Sequence, residues 1–128
     1  MRWDDALAAV LQRLRSDTEL MDALGGDHIV RADGTAPPVP GITYEVTSSR
    51  RRENDEVVFT RWDVRAPTLA GVVAVERRLH EDLDRTVPET VSGVPMWLEY
   101  VDAWDVPGEP AGTVHRTVLF RFTLMKET

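Results

Sequence analysis

The sequence predicts an α+β fold: a two-layer sandwich whose mainly antiparallel, four-stranded sheet carries helices on one face, in the order α-β-β-α-β-β. Three observations predict it. Apolar residues recur at spacings of three and four near the start and again in the middle of the chain. Four other stretches alternate apolar with polar residues, as half-buried strands do. The links within each strand pair are polar or rich in Pro and Gly, which suits hairpins and hence antiparallel pairing with one covered face.

The first helix carries Trp3, Leu7, Val10, Leu11 and Leu14 as one stripe, with Asp4 and Asp5 early and Arg13 and Arg15 late, as the helix dipole favours. Ser16 and Asp17 are placed to cap a second short helix, with Glu19 three residues after Ser16 as in a capping box. Leu20, Met21 and Leu24 form its apolar side, and Gly25-Gly26 stop it. Residues 31–41, RADGTAPPVPG, read as a loop. A strand is expected at 42–48, followed by the polar stretch SSRRRENDE as the hairpin connection and a second strand at 57–65. In that second strand Val58, Trp62 and Val64 share one face, with Trp62 expected in the core, and Arg61, Asp63 and Arg65 share the other.

Pro67 opens the next helix, whose buried stripe is Leu69, Val72, Val75, Leu79 and Leu83, and Val87-Pro88 ends it. After a Ser92-Gly93 turn, residues 95–106 form a strand with aromatics at 97, 100 and 104. PGEPAG at 107–112 is turn chemistry, and Val114, Val118, Phe120, Phe122 and Leu124 mark the last strand.

Composition limits what this fold can do. A chain of 128 residues, 42% hydrophobic and 29% charged, reads as one domain spanning 1–128 and not as a disordered segment. It has no cysteine, which excludes disulfides, Cys-ligated zinc and thiol chemistry. The net charge of −7 argues against a protein that coats nucleic acid. No apolar stretch has the length of a signal peptide core or a membrane span, so assembly in the cytoplasm is expected.

Catalytic patterns are missing. His28, His80 and His115 fall in a loop, a helix and the final strand, without metal-ligand spacing. Ser48, Ser49 and Ser92 are turn serines outside any nucleophile motif. Gly25-Gly26 end a helix, whereas phosphate loops begin one. The carboxylate pairs Asp4/Asp5, Glu81/Asp82, Glu99/Asp102 and Asp102/Asp105 read as solvated faces.

Two features point to contact with other molecules. Arg50, Arg51 and Arg52 are followed at once by Glu53, Asp55 and Glu56. Such an opposite-sign block suits pairing with a neighbouring copy, and a hydrated flexible loop is the equal alternative. Trp97 and Trp104 share a strand with Tyr100, and positions of both parities cannot all face one core, so part of this aromatic surface is expected to meet another molecule.

The layout resembles the tail terminator, or minor tail-completion, proteins of bacteriophages with long non-contractile tails and of gene transfer agents. The resemblance runs through LRSDTELMDALGGDHIV at 14–30, APPVPGITYEV at 36–46, VVFTRWDVRAPTLAGVVAVERRLHEDL at 57–83 and HRTVLFRFTLM at 115–125. It departs from the family at SGVPMWLEYVDAWDV, where members carry a glycine-leucine-arginine style segment. The resemblance implies a non-enzymatic virion protein without cofactors. It implies a hexameric ring that caps the head-proximal end of the tail tube, stops tube growth, joins the head connector and lets DNA through its channel. The competing readings are a neck or head-completion protein and, from another class, a small α+β ligand-binding or dimeric enzyme domain. For the latter, Arg61, Asp63 and Arg65 are the closest polar set. A DNA-binding regulator is disfavoured by charge and by the lack of a recognition helix.

Overall fold

A computed structural model describes residues 2–125. The first helical stretch folds as α1 (Arg2–Arg15) and α2 (Thr18–Leu24). The α1 stripe buries Ala6, Leu7, Val10, Leu11 and Leu14. Asp17, not Ser16, caps α2: its Oδ1 accepts from the Leu20 amide at 3.1 Å, while the Ser16 hydroxyl turns back to the Gln12 carbonyl at 2.8 Å. Gly25 closes α2 with φ +75°, a left-handed conformation that glycine adopts without steric cost.

The expected four-stranded antiparallel sandwich is not what forms. The sheet has six strands and is mixed: β1 (Ile29–Arg31), β2 (Gly41–Arg51), β3 (Asp55–Ala66), β4 (Glu89–Val91), β5 (Val94–Asp105) and β6 (Val114–Met125) lie in the order β1-β2-β3-β6-β5-β4. The sheet curls into a half-barrel, with α3 (Leu69–Leu83) between β3 and β4 in sequence. The element order is therefore α-α-β-β-β-α-β-β-β, not α-β-β-α-β-β.

Each added strand has three residues, too short for an alternation to register in sequence. β1 pairs parallel to β2, Ile29 opposite Ile42, which the long Pro-rich connection permits. β4 forms a tight hairpin with β5, Val91 opposite Val94. Ser92 and Gly93 make its turn with φ +46° and +86°, the pair of positive angles that two-residue hairpins favour.

The stretch SSRRRENDE is likewise not a loop. β2 and β3 continue through it, with Ser49 opposite Val58, Arg50 opposite Val57 and Arg51 opposite Glu56, and only Arg52–Asn54 turn. β6 stays alongside β3 as far as Asp55 opposite Met125, so a third strand supports this polar arm. α3 starts two residues later than expected, at Leu69, capped by Thr68, whose Oγ1 accepts from the Gly71 amide. It ends at Leu83, before Val87-Pro88.

One contiguous core joins the three helices to one face of the sheet, through Ile42, Tyr44, Val58, Trp62, Val64, Met96, Leu98, Val118, Phe120 and Phe122. Trp62 is fully buried, stacks on Tyr44 with ring centroids 5.3 Å apart, and donates from Nε1 to Thr60 Oγ1 at 2.8 Å. Thr60 Oγ1 in turn donates to the Phe120 carbonyl at 2.9 Å, so both buried polar groups are satisfied. Alternate residues of β3 and β6 point to the second face of the sheet: Val57, Phe59, Arg61, Asp63 and Arg65 beside Thr123, Leu119, Thr117 and His115.

Candidate functional site

The charged arm and the tryptophan strand meet on that second face, through cross-strand register. The row Arg50, Val57, Thr123, Trp97 runs across β2, β3, β6 and β5. A second row, Thr43, Asp63, Thr117, Trp104, lies about 20 Å further along the strands. The β5–β6 register shifts between Tyr100 and Asp102, leaving Val101 as an extra residue. This bulge reverses the parity of β5, so Trp97 and Trp104 share the second face while Tyr100 packs toward His80 and Phe120 on the core face.

The eight candidate contact residues thus differ in what they have free. Arg52 grips Asp55 at the turn with two bonds, Nε to Oδ1 at 2.5 Å and a terminal nitrogen to Oδ2 at 2.7 Å. That hydrogen bond holds the Asp55 carboxyl below its ordinary range. Glu56 turns inward and is buried, its Oε1 unpartnered among the described residues. Glu53 lies in the turn itself. Arg50 and Arg51 are exposed and have no ion-pair partner among the described residues. Trp97 is committed, its Nε1 donating to the Arg85 carbonyl at 3.0 Å, which ties β5 to the segment after α3. Trp104 is 41% exposed, and Val101 at the bulge is exposed as well.

Between Trp104 and the far edge of the sheet lies a polar network that sequence reasoning did not assemble. His115 is only 4% exposed. Its Nε2 stands 2.7 Å from Asp63 Oδ1 and its Nδ1 2.8 Å from Glu109 Oε1. Thr117 Oγ1 donates to Asp63 at 2.6 Å, and Arg61 reaches the same carboxylate at 3.0 and 3.3 Å. Arg65 donates to Glu109 and to the Thr43 hydroxyl, both at 3.3 Å. Burial raises the Asp63 carboxyl, but the hydrogen bonds from Thr117, Arg61 and His115 outweigh it and hold the group below its ordinary value. Glu109 is held low in the same way by Arg65 and His115.

This is not the geometry of nucleophilic catalysis. A general-base histidine offers its second nitrogen to a hydroxyl or thiol, whereas both nitrogens of His115 face carboxylates and the Thr117 hydroxyl bonds to Asp63 instead. Among the described residues no set of three His, Asp or Glu side chains is arranged to hold a metal ion. His28 and His80 are engaged locally, with the Leu24 carbonyl and with Glu76. Among the same residues, no helix is long and apolar enough to cross a membrane. Arg61, Asp63 and Arg65, singled out in sequence as a polar face, do converge. Their partners His115 and Glu109 come from a strand and a loop some fifty residues away, and alternation in β6 was the only signal that His115 shares their face.

The chain matches no model of a known protein family and no curated protein. Its fold is similar to that of a chain in the solved structure titled "Virion of native gene transfer agent (GTA) particle". The match covers 93% of this chain and 93% of that one, with a TM-score of 0.63 at 20% identity, and shows that the two share a fold.

Proposed function

We propose that this chain is a structural protein of a phage-like virion, and within it a ring that caps the head-proximal end of the tail tube. The observation that carries the reading is the fold shared over 93% of both chains with a component of a gene transfer agent virion. The sequence layout that resembles tail terminators supports the finer role. In this reading the protein is not an enzyme and takes no cofactor. Its partners are further copies of itself, six to a ring, the tube protein and the head connector, and DNA only passes through.

A closed ring of identical subunits needs two different, complementary patches on each copy. Arg50 on the second face of the β2–β3 arm and Arg51 on its other face supply exposed cationic groups near the arm tip. Exposed Asp102 and Trp104 on β5 supply an acidic and aromatic one, in the part of the second face remote from the arm tip. Opposite charge on separate patches steers one copy onto the next and disfavours like-on-like pairing.

Deleting the gene in the producing cell and imaging the particles tests the role. Tailless heads beside tubes of uncontrolled length are the expected result. Normal particles would refute a virion role, and tubes of normal length detached from heads would transfer the assignment to a neck protein.

A further inference from the structure

The His115 network does more than fill space on the sheet, because one of its two carboxylates belongs to a loop. Residues 106–113 connect β5 to β6. The Val106 amide donates to the His115 carbonyl at 3.0 Å and fixes the base of the loop. Beyond that point, Glu109 is its tie to the second face, through His115 and Arg65. Gly108 and Gly112 flank this tie with φ +90° and +86°, so the segment between them is bounded by two residues with wide backbone freedom. Beneath the loop is an open recess of about 650 Å³, lined in part by Leu69, Pro107, Val114 and His115.

The chemistry of the tie follows from counting protons. A neutral imidazole has one N–H, so its two nitrogens cannot both donate. Both nitrogens of His115 face carboxylate oxygens at 2.7 and 2.8 Å, and the two bonds exist together only on the doubly protonated ring. The charged and polar groups around the ring are Asp63, Arg61 and Arg65 from β3, Glu109 from the loop, Thr117 from β6 and Thr43 from β2. The nearby Asp105 of β5 is turned to Arg116 instead.

We propose that the loop is a proton-operated strap: the charged His115 ring holds Glu109 down, and loss of one ring proton frees the loop to swing between Gly108 and Gly112. The remaining N–H stays with Asp63. That carboxylate is 10% exposed and cannot be rehydrated without opening the sheet face, whereas Glu109, 24% exposed, reaches water by a small movement. Arg65 alone then holds Glu109, at the longer distance of 3.3 Å. Release widens the recess and uncovers His115. The inference rests on this geometry and is independent of the virion role.

Nuclear magnetic resonance on the full chain tests it, by following the His115 ring nitrogens and the amides of Gly108, Ala111 and Gly112 from about pH 5 to about pH 9. The loop order parameters are expected to fall from about 0.85 to below about 0.6 as the ring loses its proton. E109A, which removes the bonds to both His115 and Arg65, is expected to give a loose loop at every pH. Rigid loop amides while the ring titrates would overturn the proposal. So would a ring that keeps both protons to pH 9, or an E109A loop as rigid as the parent.

Discussion

Replacing Asp82 with asparagine is expected to remove a fall in stability that the parent protein shows as pH rises. Asp82, expected with Glu81 on a solvated face, is instead 8% exposed in the last turn of α3, and its Oδ2 has no hydrogen-bond partner among the described residues. Burial above all, then the hydrogen bond with Asp17 and its charge, push the Asp82 carboxyl up to about 7, against smaller pulls from Arg78 and Arg13. Asp17 moves the other way. Burial raises it, but bonds from Asp82, the Leu20 amide and Arg78 outweigh that and hold it low. Near neutrality one proton therefore serves the two carboxyls, held by Asp82 while Asp17 beside it is ionised.

The sign follows from the direction of the shift. An unfolded Asp82 loses its proton near 3.8 and the folded one near 7. Between those values the native state holds a proton that the unfolded chain has released, so stability falls with rising pH, by about 1.4 kcal/mol per pH unit for one group. The full contribution is present below about pH 4 and is lost by the time pH passes 7, for a total of about 4 kcal/mol before the coupling to Asp17 reduces it. Asparagine has nearly the same shape, keeps an N–H for Asp17 and carries no charge at any pH. Urea unfolding followed by tryptophan fluorescence at pH 4.5, 6, 7 and 8.5 reads the difference between D82N and parent. That difference should grow from near zero to roughly 2–4 kcal/mol in favour of D82N and then level off. A difference that stays constant with pH would refute the shared proton.

Other consequences can be measured on the same protein. Trp62→Ala should cost about 3–5 kcal/mol, since it empties the largest fully buried position and removes the donor to Thr60 Oγ1; an unaltered melting temperature would remove Trp62 from the core. Gly41→Ala should destabilise by about 1–3 kcal/mol, because a Cβ there would stand 2.5 Å from Pro38 Cγ and 2.7 Å from the Pro38 carbonyl oxygen; a neutral result would mean that the Pro-rich loop gives way. Reversing both Arg50 and Arg51 to Glu should leave unfolding within about 0.5 kcal/mol of the parent and weaken self-association in sedimentation, and unchanged association would exclude the arm from the contact. Trp104→Ala, at a side chain 41% exposed, should likewise lower association much more than stability.

What the sequence made legible was local. The stop at Gly25, the apolar face of β6 and the α3 stripe at Val72, Val75, Leu79 and Leu83 all follow from spacing within one element and are present, whereas Leu69, expected in that stripe, opens the helix and is 59% exposed. The misreadings concern what distant strands do to a local pattern. SSRRRENDE looks like a loop because nothing in it is apolar, yet β6 pairs with β3 along its whole length and keeps the arm in the sheet. β1 and β4 are too short to announce themselves, although Ser92-Gly93 is a two-residue hairpin signal that called for a strand before it. The Val101 bulge cannot be seen in β5 alone, since only the register against β6 reveals the extra residue. Without it, the common face of Trp97 and Trp104 stays hidden. His115 is the sharpest case. Its sequence neighbours give no hint of burial, and its two carboxylates come from β3 and from a loop.

The most direct test of the account is the mass and shape of the purified protein with and without tail tubes, by light scattering and negative-stain imaging. The account expects six-fold rings, free or seated at one end of each tube, and tubes that no longer lengthen once capped. A monomer or dimer that leaves tube ends bare and tube growth unaltered would contradict it.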